Sequence, residues 1–246
     1  MEPSPSRPAN PASQRPSSLK LSCTVHGPKA LPRNAAFSPQ LLLTTNVKYA
    51  PFAQRQRRGF IRDSSERDLG AHLETALKGV ILGDRWPKSS VEIAITILET
   101  EDDPRDQRQM DTGGVGSLDS MNVLAGCITA ASAALIQSGV DCLDLVSGGT
   151  AAIVSGTKHL GEDVVVDPDF AEHDQSAAAC CVGYLSSRDE LVELWMKGEA
   201  TQEQHEMLCD RAVAAAMSTR SVLAEVLREG LPMSAVSEDD ENLKGV

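Results

Sequence analysis

Between residues 64 and 98 the apolar side chains change their period. Leu69, Leu73, Leu77 and Val80 recur every three or four positions, which sets them on one face of a helix. Val91, Ile93, Ile95 and Ile97 then recur at every second position, alternating with Glu92, Ala94, Thr96 and Leu98, the pattern of a strand. Neither element can bury its apolar face alone, so a helical layer has to pack against a sheet. The pattern therefore points to a mixed domain, α+β or α/β.

The rest of the chain repeats the theme. Leu21–Val25 and Leu41–Tyr49 have strand composition, with Gly27-Pro28 and Ser38-Pro39 as breaks. Ser64 or Ser65 is expected to cap the first helix, which runs to about Leu82 with Gly83 ending it. A second helix, rich in alanine, spans about Leu118–Ser138 and stops at Gly139; its small residues imply a close neighbour. Strands are expected near Cys142–Val146, Ala151–Val154, Val164–Val166, Ala178–Leu185 and Glu190–Met196. Thr201-Gln202-Glu203-Gln204 is a capping-box pattern opening a helix to about Glu229, with Leu208, Val213, Ala216, Met217 and Leu223 as its buried stripe. One domain over residues 19–231 follows. The Pro/Ser-rich residues 1–18 and the acidic tail 232–246 are expected to be disordered, and residues 102–116 to form a long loop.

Charge divides the chain. The net charge of −12 over 246 residues disfavours a freestanding nucleic-acid binder. Residues 1–62, however, hold ten basic side chains against Glu2 alone, a local charge of +9 that leaves −21 on the remainder. Only 3% of residues are aromatic, so few rings are available to stack on bases. Cys23, Cys127, Cys142, Cys180, Cys181 and Cys209 form no CxxC pair and no zinc spacing. Pro and Ser stand where a secretory leader would need apolar residues, and no run approaches 18 apolar residues. A soluble, reduced, intracellular protein with no membrane partner is expected.

Candidate chemistry is sparse. Gly148-Gly149-Thr150 lacks the GxGxxG spacing and any Gly-Lys-Ser/Thr, and is expected to be a turn between strands. Asp167, Asp169, Glu172, His173 and Asp174 could hold a hard cation or act in acid–base chemistry, but consecutive carboxylates after a strand are more often a solvated loop. His26, His72, His159, His173 and His205 lie at no ligand spacing. Arg55, Arg57, Arg58 and Arg62 form the densest basic run, suited to RNA phosphates and equally to an acidic protein surface or to solvent.

Several segments together carry a resemblance. Cys23-Thr24-Val25-His26-Gly27-Pro28-Lys29, Pro32-Arg33 and Val47-Lys48-Tyr49-Ala50-Pro51-Phe52 look like the opening of an RNase PH-type domain. The Leu69–Leu82 helix with Trp86-Pro87-Lys88-Ser89, the Ile128–Leu135 stretch with Gly139-Val140 and Asp144-Leu145-Val146, and Val166-Asp167-Pro168-Asp169 with Glu172 resemble the units that follow. The subtype most similar is that of the eukaryotic exosome core ring, of mRNA transport regulator type. The resemblance implies an α+β fold, a βαβα layered domain with mixed sheets and helices on one face. It departs at the front, where the family's Gly-Ser-Ala strand pair is replaced by Pro and Ser residues. Either that strand is absent, exposing a sheet edge, or the recorded start is not the native one.

The resemblance also maps the family's chemistry onto this chain. The Gly-Thr-Arg turn that binds the attacking phosphate in active members falls on Asn122-Val123-Leu124, and Leu124 cannot bind an anion. The RNA-clamping Arg pair falls on Ser64 and Ser65, with Arg62 close by. The catalytic Asp falls on Ala179, and the first acid of its segment on His173. These degenerate positions imply a non-catalytic subunit with no cofactor and no metal. Its partners would be other RNase PH-like subunits in a six-membered ring, an RNA-binding cap subunit, and RNA contacted through Arg55, Arg57, Arg58 and Arg62. Nucleus, nucleolus and cytoplasm are the implied locations. The alternatives are a phosphate-dependent 3′-to-5′ exoribonuclease with a rearranged site using Asp167, Asp169 or Asp174, and an α/β domain unrelated to RNA.

Overall fold

The computed structural model describes residues 19–32, 34, 36–53, 57, 59, 61, 63–100, 118–154, 163–168 and 176–230. The disorder expected for residues 1–18 and 232–246, and the loop expected over 102–116, fall on residues outside the described ones.

The first sheet has the order β1-β3-β2, built from β1 (Lys20–Ala30), β2 (Leu42–Tyr49) and β3 (Ser89–Glu99). β1 runs antiparallel and β2 parallel to the central β3. A parallel pair requires a crossover, and α1 (Ser64–Lys78) supplies it. On β3 the alternation is kept: Val91, Ile93, Ile95 and Ile97 are buried while Glu92 and Thr96 are exposed. Gly27-Pro28 does not end β1 as expected; the strand continues to Ala30 across a bulge, with Gly27 at a φ of +139°. A Cβ there would lie 2.7 Å from the Ser90 carbonyl oxygen, so only glycine fits.

The second sheet is antiparallel throughout, in the order β5-β4-β6-β7. Its strands are β4 (Val146–Val154), β5 (Asp163–Val166), β6 (Ser176–Leu185) and β7 (Glu190–Gly198). α1 and α2 (Leu118–Gln137) lie between the two sheets, with α1 against β2 and β7, and α2 against β1, β4 and β6. α3 (Gln202–Gly230) covers the far face of β4 and β6. Helices therefore flank the second sheet on both sides, rather than one, and this sheet is not mixed. Two cores result. Leu69, Leu73, Leu77, Ile93, Ile95, Leu124 and Ile128 fill the space between the sheets. Ile153, Cys180, Val182, Leu208, Ala212 and Ala216 fill the space under α3.

Gly148-Gly149-Thr150 is not a turn. It sits in the middle of β4, every residue of which is buried. A Cβ on Gly148 would come within 2.2 Å of the Ala125 carbonyl oxygen on α2, and one on Gly149 within 2.2 Å of the Ala212 carbonyl oxygen on α3. The two glycines let one helix backbone approach each face of the same strand.

Other boundaries shift for local reasons. α1 stops at Lys78, where Val80 N and Ile81 N both donate to the Leu77 carbonyl, and Gly83 opens a short 3-10 turn instead of ending the helix. Cys142 makes an isolated bridge to Ile81 rather than a strand running into Val146. Thr201 and Gln204 form the expected reciprocal cap, Thr201 N donating to Gln204 Oε1 at 2.6 Å and Gln204 N to Thr201 Oγ1 at 3.4 Å. Met217, expected in the buried stripe of α3, faces outward, and Ala212 takes a place in it.

Candidate phosphate site and RNA-facing surface

The residues expected to carry or to have lost chemistry sit at three places. The first is the opening turns of α2. Val123 and Leu124 are buried, Leu124 at 0% exposure within the core between the sheets. Asn122 Nδ2 donates to the Pro168 carbonyl oxygen at 2.9 Å, tying α2 to the end of β5. An anion approaching Leu124 would meet an isobutyl group packed among other apolar side chains, which offers it no hydrogen bond.

The second is the ladder between β6 and β7. Ala179 is 3% exposed, pairs with Ala152 on β4 and Lys197 on β7, and packs into the same core as Leu124. Its methyl group can neither move a proton nor bind a cation. Period-two alternation along β7 brings Glu193, Trp195 and Lys197 together against α1, a grouping the sequence reading missed although the alternation that produces it was in view. Glu193 Oε1 and His72 Nδ1 share a 2.7 Å hydrogen bond, the His72 ring stacks on Trp195 at 4.6 Å, and Lys197 Nζ lies 4.8 Å from the centre of the Trp195 ring. Burial holds the Lys197 ammonium below its usual pKa, an effect Asp68 partly offsets. This cluster joins α1 to the edge of the second sheet, which gives His72 a structural partner.

The third is the start of α1. The N-cap is Asp63, not Ser64 or Ser65. Asp63 Oδ1 accepts from Ser64 N at 2.7 Å, and the Ser64 and Ser65 hydroxyls donate to the Asp63 carboxylate at 3.4 and 3.5 Å. Glu66 is buried and spends both oxygens on backbone amides: Oε1 accepts from Tyr49 N at 2.9 Å and Oε2 from Asp63 N at 3.1 Å. The capping box thus doubles as a clasp between the end of β2 and the start of α1. Two carboxylates gather at the N-terminus of α1, and they satisfy its dipole from within the chain.

Of the basic run, Arg57 is exposed, and Arg55, Arg58 and Arg62 lie outside the described residues. His173, with Asp169, Glu172 and Asp174, lies outside them as well; Asp167 is exposed, at a φ of +52°. All six cysteines are free thiols, and burial pushes Cys127 and Cys181 up to about 12, far from a reactive thiolate at neutral pH.

Comparisons with known proteins agree with this architecture. Residues 18–141 match the RNase PH family, described as the 3′ exoribonuclease family, domain 1. The exosome complex component MTR3 of Chaetomium thermophilum is 50% identical over 216 residues, covering 87% of this chain and 75% of that protein. The exosome complex component mtr3 of Schizosaccharomyces pombe is 25% identical over 211 residues, covering 85% and 74%. The crystal structure of rice Rrp46 superposes with a TM-score of 0.63 at 18% identity, covering 85% of this chain and 84% of that one, a likeness of fold. With its two sheets, its intervening helix layer and half its length matched by the family, the chain belongs to the RNase PH family.

Proposed function

We propose that this chain is a non-catalytic ring subunit of the RNA exosome, supporting 3′-to-5′ RNA processing and decay without cleaving RNA itself. The observation that carries the reading is the burial of the degenerate positions. Leu124 and Ala179, the positions to which the family resemblance maps the phosphate binder and the general acid, are packed into the core. Restoring either function would take a substitution and an opening of that core as well. The N-terminus of α1 supports the same reading, since the Asp63 and Glu66 carboxylates flank Ser64 and Ser65, the positions to which the resemblance maps the RNA-clamping pair. The exosome assignment draws on the 50% identical relative named as an exosome component.

In this role the chain pairs with other RNase PH-like subunits in a six-membered ring, carries an RNA-binding cap subunit, and touches the RNA that passes through by way of Arg55, Arg57, Arg58 and Arg62. The −21 body is tolerable because the +9 leading segment and the neighbouring subunits supply charge for the phosphates. The ring acts in the nucleus, nucleolus and cytoplasm. Co-expression with RNase PH-like ring subunits tests the assembly. A single species containing this chain at one copy per ring is expected in native mass spectrometry, and a chain that remains alone beside an otherwise complete ring contradicts it.

A further inference from the structure

We propose that Phe52 is a stacking platform for a base of single-stranded RNA, with Arg57 holding the adjoining phosphate; the proposal rests on the reading of this chain as an RNA-handling ring subunit. The chain has four phenylalanines, two tryptophans and two tyrosines. Among the described residues, Tyr49 and Tyr184 are buried and Trp86 and Trp195 are half-buried, whereas Phe52 is 73% exposed. A chain this poor in rings gains nothing for its core by leaving one in water.

The backbone that carries the ring is pinned on both sides of it. Ala50 N donates to the Ile97 carbonyl at 2.8 Å, Ala53 N to the Ala50 carbonyl at 2.9 Å, and Thr100 N to the Ala53 carbonyl at 3.3 Å. Ala50 and Ala53 are buried on either side of the exposed Phe52. This is a tight turn at the end of β2, fixed to β3 and, through Glu66, to α1. A stacking surface on a pre-organised turn loses little entropy on binding.

Charge selects the occupant. Arg57 follows Phe52 by five residues, a reach of at most about 18 Å, and is exposed. It belongs to the most basic stretch of a chain that is otherwise acidic. An exposed aromatic ring followed within reach by an exposed arginine is a pairing that holds single-stranded nucleic acid without reading its sequence, the ring taking a base and the guanidinium a phosphate. Phe37 is exposed to a similar degree but has no comparable basic run after it.

The test uses the assembled ring and a fluorescently labelled single-stranded oligouridine. Phe52→Ala is expected to weaken binding at least about fivefold, Phe52→Leu to weaken it similarly, and Phe52→Trp to restore it. The salt dependence of affinity should be unchanged by these substitutions, whereas Arg57→Gln should lower its slope by about one. A photo-crosslinking amino acid at position 52 should attach to RNA. Unchanged affinity with Phe52→Ala, full affinity with Phe52→Leu, or crosslinking to a neighbouring subunit overturns the proposal, the last by making Phe52 a protein contact. Failure of the unmutated chain to enter a ring overturns instead the functional reading beneath it.

Discussion

The two sheets of this domain bury their strands in opposite ways. Among the described residues, helices pack on one face of the first sheet: along β3, Val91, Ile93, Ile95 and Ile97 turn inward and Glu92 and Thr96 are exposed. The second sheet is covered on both faces, and β4 is buried at every position from Val146 to Val154. One-sided burial needs large apolar residues at alternate positions, with the others free to be polar. Two-sided burial under closely approaching helices needs small residues where the helices cross, hence Ser147, Gly148, Gly149, Thr150, Ala151 and Ala152 along the middle of β4. The contrast predicts where a single methyl group matters.

The largest effect is expected at Gly149. In Gly149→Ala the new Cβ is driven onto the backbone of α3 at Ala212, and α3 has to move off the sheet. A loss of about 3 kcal/mol is expected in chemical denaturation. A change under about 1 kcal/mol would mean that the second sheet is not packed tightly on both faces. Glu66→Ala is expected to cost about 2 kcal/mol, because the Tyr49 and Asp63 amides lose a buried acceptor while the core stays filled. Recovery of most of that loss by Glu66→Gln, which keeps one acceptor oxygen, would tie the effect to the clasp. The smallest effect is expected at Thr96, on the open face of the first sheet, where Thr96→Ala should change stability by no more than about 0.5 kcal/mol. A larger loss there would show that this face is covered in solution.

The same contrast sets how much of the molecule was legible in its sequence. The first sheet and α1 were readable because a one-sided element shows its period: Ile93, Ile95 and Ile97 define the strand, and Leu69, Leu73 and Leu77 the helix. β4 was misread because a Gly-Gly pair has the composition of a turn, and only the helices on both sides explain it. The N-cap was assigned to the serines although Asp63 and Glu66 have capping-box spacing; serine and aspartate cap equally well, and the glutamate three residues on was the deciding signal. The clasp from Glu66 to Tyr49 joins residues 17 apart and had no local signature. The positions Leu124 and Ala179 came from resemblance to the family; that both are sealed in one core was visible only in the fold.

In the proposed role this chain keeps the RNase PH fold without the family's phosphorolytic chemistry. The direct measurement is release of nucleoside diphosphates from single-stranded RNA and inorganic phosphate by the ring assembled with this chain, compared with rings carrying Asp174→Ala in it. Asp174→Ala is expected to change nothing, with no release traceable to this subunit. Release that is abolished by Asp174→Ala would contradict that role and make the chain a phosphate-dependent exoribonuclease.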